Sequence, residues 1–183
     1  MATYQELAAA SDIAAHMDYL CEAARGKVVI ELGVRTGVST AVFLSSAVMV
    51  HSCDIATPVL PPHWTALDNW NFTLGNSTDP RTLERMPHTC DVLFIDTSHE
   101  YEQTLAELAA YWPRVKPGGV ALLHDTCWET IADPDAHGGR WCRELDYPDG
   151  PVTSAINAFC AAHQLQWSNR PGSYGLGVIR KPG

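Results

Sequence analysis

The sequence predicts an α/β protein: a doubly wound, mostly parallel sheet of seven strands, with helices on both faces and an antiparallel strand near the C-terminus. Two observations carry this. From residue 27 to about 163, short apolar runs alternate with helix-patterned segments, as strands and crossover helices of a parallel sheet do. Beyond them, "LQWSNR" and "GLGVIRK" flank the turn "PGS", which implies an antiparallel hairpin at one edge.

Each element follows from its own pattern. Residues 1–25 form an N-terminal helical segment with Ile13, Met17, Leu20 and Cys21 on one stripe, and Gly26 stops it. "KVVIELG" is the first strand, "VSTAVFLSSA" the first crossover helix and "VMVHSCDI" the second strand. "TPVLPPHW" is a proline-rich loop, "NWNFTLGNS" the third strand and "DPRTLERM" a short helix. "DVLFID" is the fourth strand. The helix "EYEQTLAELAAYW" places Tyr101, Leu105, Leu108 and Trp112 on one stripe. "KPGG" reads as a turn before the fifth strand, "VALLHD". Residues 127–150 are rich in Gly, Pro, Asp and Trp and read as a long active-site loop. "PVTSAINAFCAAH" is a helix with Pro at its start.

A length of 183 residues gives a single domain, 1–183, with room for a sizeable core. The formal charge is −9, which repels phosphate backbones and argues against nucleic acid as a partner. No apolar run is long enough to span a membrane, and the N-terminus lacks the pattern of a secretory signal. The six scattered cysteines read as core and loop residues, not a disulfide framework, and the cytoplasm is the expected compartment. His16 reads as a surface or core-edge residue.

The sheet architecture places ligands beyond the carboxyl ends of the strands. Three features lie there. The first is "VVIELGVRTGVST", a strand, a loop with Gly33 and Gly37, and a helix. It lacks the second and third glycines of a dinucleotide fingerprint and the lysine of a P-loop. What remains is E-x-G-x-x-x-G, with Glu31 at the strand tip. The second is Asp54 at the end of the second strand, followed on the third by "LGNS" with Asn76 and Ser77. The third is the pair "DVLFIDTSHEY" and "GVALLHDT", two strands ending in Asp96 and Asp125, with His99 and His124 close by.

Together these motifs resemble the class I methyltransferases that use S-adenosylmethionine (SAM), and a small O-methyltransferase subgroup similar to macrolide-sugar O-methyltransferases and cephalosporin-hydroxylase-like proteins. The resemblance covers most of the chain. It implies a Rossmann-like sheet of order 3-2-1-4-5-7-6. It implies that Glu31, Gly33 and Gly37 shape the SAM loop, that Asp54 holds the ribose, and that Asn76 and Ser77 face the adenine. A carboxylate accepting from two vicinal hydroxyls is the physical reason for an acid at position 54.

The resemblance also brings Asp96 and Asp125 side by side on adjacent strand tips. Like charges at close range need a counter-charge, and oxygen ligands favour a divalent cation such as Mg²⁺ or Mn²⁺. The related sugar O-methyltransferases bind Mg²⁺ through an Asp after the fourth strand and an acidic pair after the fifth. Asp96 and Asp125 match two of those positions, while His124 replaces the third acid and softens the site. His99 aligns with the relatives' general base, so Asp96, His99 and Asp125 form the expected catalytic set. The spacing of His124, Cys127, His137 and Cys142 offers a looser zinc pattern. Trp128, Arg140, Trp141 and Arg143 in the long loop suit either a sugar or anionic substrate, or packing onto the core.

The expected reaction is methyl transfer from SAM to a hydroxyl of a small molecule such as a sugar. A nicotinamide-dependent oxidoreductase and a non-catalytic binding module of the same fold are the alternatives. A homodimer contact through the N-terminal helix or the 127–150 loop stays open.

Overall fold

The computed structural model describes residues 12–127, 147 and 149–183. Seven strands, β1 (Val28–Leu32), β2 (Met49–Asp54), β3 (Trp70–Leu74), β4 (Cys90–Ile95), β5 (Val115–His124), β6 (Trp167–Arg170) and β7 (Leu176–Arg180), form one sheet. Its order is β3-β2-β1-β4-β5-β7-β6, as the sequence motifs imply. β1 to β5 are parallel, and β7 runs antiparallel to both β5 and β6. The helices are α1 (Met17–Ala24), α2 (Val38–Ser46), α3 (Pro80–Arg85), α4 (Tyr101–Tyr111) and α5 (Pro151–His163).

The continuous apolar runs split by the two-residue period of a strand. On β4, Val92 and Phe94 join one core with α1 and α2; Leu93 and Ile95 join the other with α4 and α5. Leu122 and Leu123 of β5 likewise point to opposite cores, and both are fully buried. Burying each such side chain contributes roughly 1.5–3 kcal/mol. A strand with helices on both faces therefore has no polar side, which is why these runs lack alternation in sequence.

Three details differ from the sequence expectation. The "KPGG" stretch is not a turn ahead of β5 but a bulge within it: pairing to β4 jumps from Cys90↔Val115 to Val92↔Val120. Its glycines bond to the chain end, with Gly118 N–H donating to the Lys181 carbonyl and Lys181 N–H to the Gly119 carbonyl. On α4, the fully buried residues are Thr104, Glu107, Leu108 and Tyr111, so the stripe is rotated from the apolar one and carries an acid inward. His16 is buried, at 1% exposure, edge-on to the His124 ring.

The described part of the N-terminal segment behaves as expected. Ile13, Met17, Leu20 and Ala24 pack against Val42 and Phe43 of α2. Gly26, at φ +68°, ends the helix. Asp79 caps α3 by accepting from Arg81 N–H, and Pro80 fills the first helical position. No helix among the described residues is long and apolar enough to cross a membrane.

Candidate active site

The carboxyl ends of β1 to β5 enclose a cavity of about 390 Å³. It lies where the strand order reverses between β1 and β4, the place where open α/β sheets take their ligands. Gly33, Asp54, Asn76 and Ser77 line it from the first three strand tips, and Asp96, His99 and Asp125 from the next two.

The loop after β1 is built from behind and below. Gly33 has φ +91°, and a Cβ there would fall 1.9 Å from the Asp96 carbonyl oxygen, so only glycine lets β1 and β4 approach this closely. Gly37, at φ +77°, opens α2 in the left-handed conformation. A side chain on Gly37 would strike Leu60 and Trp64, and the residue does not line the cavity. Glu31 is fully buried behind the loop. Its carboxylate accepts from Ser39 Oγ (2.6 Å), Thr40 Oγ1 (2.8 Å) and Ser52 Oγ (2.5 Å). Burial pushes its pKa up to about 7, against the pull of those three hydroxyls. Glu31 thus ties β1 to α2 and β2 without reaching the cavity.

Asp54 ties the loop from the front. Its Oδ2 accepts from Val34 N–H (2.8 Å) and Arg35 N–H (3.0 Å), and its Oδ1 from Ala56 N–H (2.9 Å). Arg35 is in turn left-handed, at φ +48°, and its guanidinium meets Asp12 at 2.9 Å over the cavity.

The third strand tip is held by a residue that the sequence reading passed over. Glu107 of α4 is fully buried. It accepts from Ser77 Oγ (2.5 Å), Thr97 Oγ1 (2.9 Å) and Gln103 Nε2 (3.0 Å). Burial raises its pKa. Glu107 joins the loop after β3 to the loop after β4, and Gln103 enters the cavity wall beside it. Within "AELAAY" it reads as an ordinary exposed helix acid, and nothing in the local pattern marks it as buried.

On the reaction side, four groups converge. His99 Nε2 lies 3.1 Å from Asp96 Oδ1 and 2.9 Å from Asp125 Oδ2. His124 Nδ1 lies 3.0 Å from Asp125 Oδ2 and 3.6 Å from Asp96 Oδ1. His99 and Asp125 both adopt left-handed backbone, at φ +58° and +61°, a strained state that recurs at functional sites. Burial opposes charge on all four groups, but their mutual attraction outweighs it. The His99 pKa rises to about 10 and that of His124 rises well above the ordinary value, while both carboxyls are held below theirs.

Asp96, His124 and Asp125 bring one donor atom each within 4.8 Å of one another. His124 Nε2 donates to the Ser173 carbonyl at 2.8 Å. That bond leaves Nδ1 as the ring atom facing both carboxylates, the arrangement by which backbone carbonyls orient metal-ligating histidines. Two carboxylates and one imidazole suit a divalent cation between the hard and borderline classes. For the looser zinc pattern, His137 and Cys142 lie outside the described residues, as do Trp128, Arg140, Trp141 and Arg143 of the long loop. At the described start of that loop, the Cys127 N–H donates to the Tyr174 carbonyl at 2.6 Å.

The chain matches a methyltransferase-domain family model over residues 30–126. No curated protein sequence matches it. Among solved structures it is similar to the MycE methyltransferase of the mycinamycin biosynthetic pathway, in complex with Mg and S-adenosylhomocysteine (SAH). That match has a TM-score of 0.65 at 18% identity and covers 93% of this chain and 50% of MycE, so the chain spans about half of MycE's length. It is also similar to a candidate caffeoyl-CoA O-methyltransferase from Staphylococcus aureus, with a TM-score of 0.69, 16% identity and coverage of 91% of this chain and 83% of that one. An O-methyltransferase family protein from Burkholderia thailandensis matches with a TM-score of 0.62 at 17% identity, over 100% of this chain and 63% of that one. Motif, sheet order and family model agree: the chain belongs to the methyltransferase-domain family, with the class I fold of the SAM-dependent methyltransferases.

Proposed function

We propose that the protein transfers the methyl group of SAM to a hydroxyl of a small molecule. The observation that carries this reading is the convergence of Asp96, His99, His124 and Asp125 beside the cavity that Gly33, Asp54, Asn76 and Ser77 line. A sugar hydroxyl is the favoured acceptor class. MycE, which is described with mycinamycin VI bound, supports a small-molecule acceptor.

In this reading the glycine loop lets the donor approach the backbone, Asp54 accepts from the ribose hydroxyls, and Asn76 and Ser77 meet the adenine. Glu31 and Gly37 act from behind, fixing the loop's shape. The acceptor oxygen attacks the methyl carbon in line; its C–O bond forms as the S–C bond breaks, leaving a neutral thioether. Aligning the two reactants is worth roughly 7–11 kcal/mol. His99 takes the hydroxyl proton, a contribution of about 10²–10⁴-fold. Asp96 and Asp125 orient that ring. With His124 they would hold a divalent cation, Mg²⁺ or Mn²⁺, which when bound lowers the acceptor's pKa and draws off the carboxylate charge that otherwise keeps His99 protonated.

Calorimetric titration with SAH, with and without Mg²⁺, tests the donor site. Transfer of labelled methyl from SAM to a panel of small hydroxylated acceptors tests the reaction. Folded protein that binds neither SAM nor SAH overturns the proposal.

A further inference from the structure

The turn that joins β6 to β7 runs through consecutive left-handed residues. Gly172, Ser173, Tyr174 and Gly175 have φ +91°, +42°, +61° and +86°. Glycine takes this conformation freely, but a serine and an aromatic residue take it at a cost. A tight hairpin turn of type I′ needs such backbone only at its two central residues. Side-chain-bearing residues stay in such a state where the surrounding structure over-determines them.

The segment after β5 supplies that surrounding structure. The Ser173 carbonyl accepts from His124 Nε2 (2.8 Å), and the next carbonyl, that of Tyr174, accepts from the Cys127 N–H (2.6 Å). Two successive carbonyls thus grip the chain on either side of Asp125 and Thr126. Thr126 is tied as well: its Oγ1 donates to Asn169 Oδ1 of β6 (2.7 Å), and its carbonyl accepts from Thr153 Oγ1 of α5 (2.9 Å). Gly175 lets the turn close on this segment, because a Cβ there would fall 2.6 Å from Thr126 Oγ1 and 2.7 Å from Cys127 Sγ. Between these pinned neighbours Asp125 is itself left-handed, at φ +61°. Its carboxylate meets His99 and His124, and the residue lines the cavity. The turn is anchored in its own right from the start of the chain: Ser173 Oγ accepts from the Ala15 N–H at 2.9 Å.

Resting on the methyl-transfer reading above, we propose that the turn 172–175 is a brace that sets the Asp125 carboxylate against His99, with Ser173 as a positioning residue for the reaction centre. Ser173 does not line the cavity. It acts through His124 and Asp125: its hydroxyl holds the turn, and its carbonyl holds the ring that shares Asp125 Oδ2 with His99.

The test is hydrogen exchange of the imidazole N–H protons, read by NMR in protein with neither donor nor cation added. In the wild type the Nε2 protons of His124 and His99 should both exchange slowly. Ser173→Ala removes the bond from Ala15 and should speed both by roughly three- to tenfold, with the backbone amides of β4 unchanged. The His99 proton decides the matter, because a purely local loosening stops at His124. Ser173→Gly, which suits a left-handed position without steric cost, should do the same if Ser173→Ala folds poorly. Methyl transfer should slow in both variants while SAH affinity holds. Fast exchange of either proton in the wild type, or an unmoved His99 proton in a folded variant, overturns the brace and leaves the SAM reading intact. Wild-type protein that binds neither SAM nor SAH overturns the SAM reading itself.

Discussion

The carboxylate of Asp125 lies 2.9 Å from the imidazole Nε2 of His99, and the pair bridges the tips of two adjacent strands. The contact orients the ring, but it also favours the imidazolium, and a general base must be neutral. In the proposed reaction His99 would act as a base only where something else draws on the Asp96 and Asp125 charge.

His99→Ala should lower the rate of methyl transfer by about 10²–10⁴-fold while SAH affinity changes little. Single-turnover rates set against calorimetric binding separate the two. A variant with full turnover would remove His99 from proton transfer without touching the fold assignment.

Asp125→Asn should lower the His99 pKa from about 10, because an attractive negative charge is lost. The change is readable in the imidazole proton resonances across a pH titration without added metal. A folded pKa above the ordinary value of 6.5 also means that His99's own contribution to stability is fully present below that value and is lost as pH rises through about 10.

Mg²⁺ or Mn²⁺ should raise the melting temperature of the wild type, and Asp96→Ala should abolish the effect. The shift should be larger at pH 8.5 than at pH 6, because the raised pKa values of His99 and His124 mean that protons compete with the cation. Chelation should lower the methyl-transfer rate.

Gly33→Ala should cost about 3 kcal/mol or more by denaturant unfolding, because the new Cβ meets the Asp96 carbonyl as well as a φ of +91°. Gly118→Ala has a similar φ, +75°, but open space around it, and should cost only about 1 kcal/mol. The contrast separates backbone strain from the close approach of β1 and β4.

Glu31→Gln should change how stability depends on pH. The Glu31 pKa is raised from 4.5 to about 7, so the folded state binds its proton more tightly than the unfolded chain. Its contribution is therefore greatest below pH 4.5 and declines as pH rises toward about 7. The deficit of Glu31→Gln relative to wild type should be larger at pH 5 than at pH 8, as read from urea midpoints.

The sheet was legible because its strands are buried on both faces and show as unbroken apolar runs between helix-patterned stretches. The strand-tip acids stood out because each ends an apolar run, although Glu31 serves structure there. Glu107 and His16 were not. Each sits on a helix among residues that tolerate water, and each is buried by partners far along the chain, such as Ser77 and His124. "KPGG" carries genuine turn chemistry, yet pairing with β4 on one side and the chain end on the other absorbs it into a strand. The resemblance implies a ribose-binding role for Asp54; the three backbone N–H groups on its carboxylate show that it builds the loop.

The bond from His124 to the Ser173 carbonyl spans 49 residues of chain. Ribosomes deliver a chain from its N-terminus, so β1 to β5 and the loops around the donor cavity can assemble while the last hairpin is still to come. Until that hairpin docks, His124 lacks the carbonyl that turns its Nδ1 toward the two carboxylates. A nascent chain would thus acquire its cavity before its Asp–His cluster.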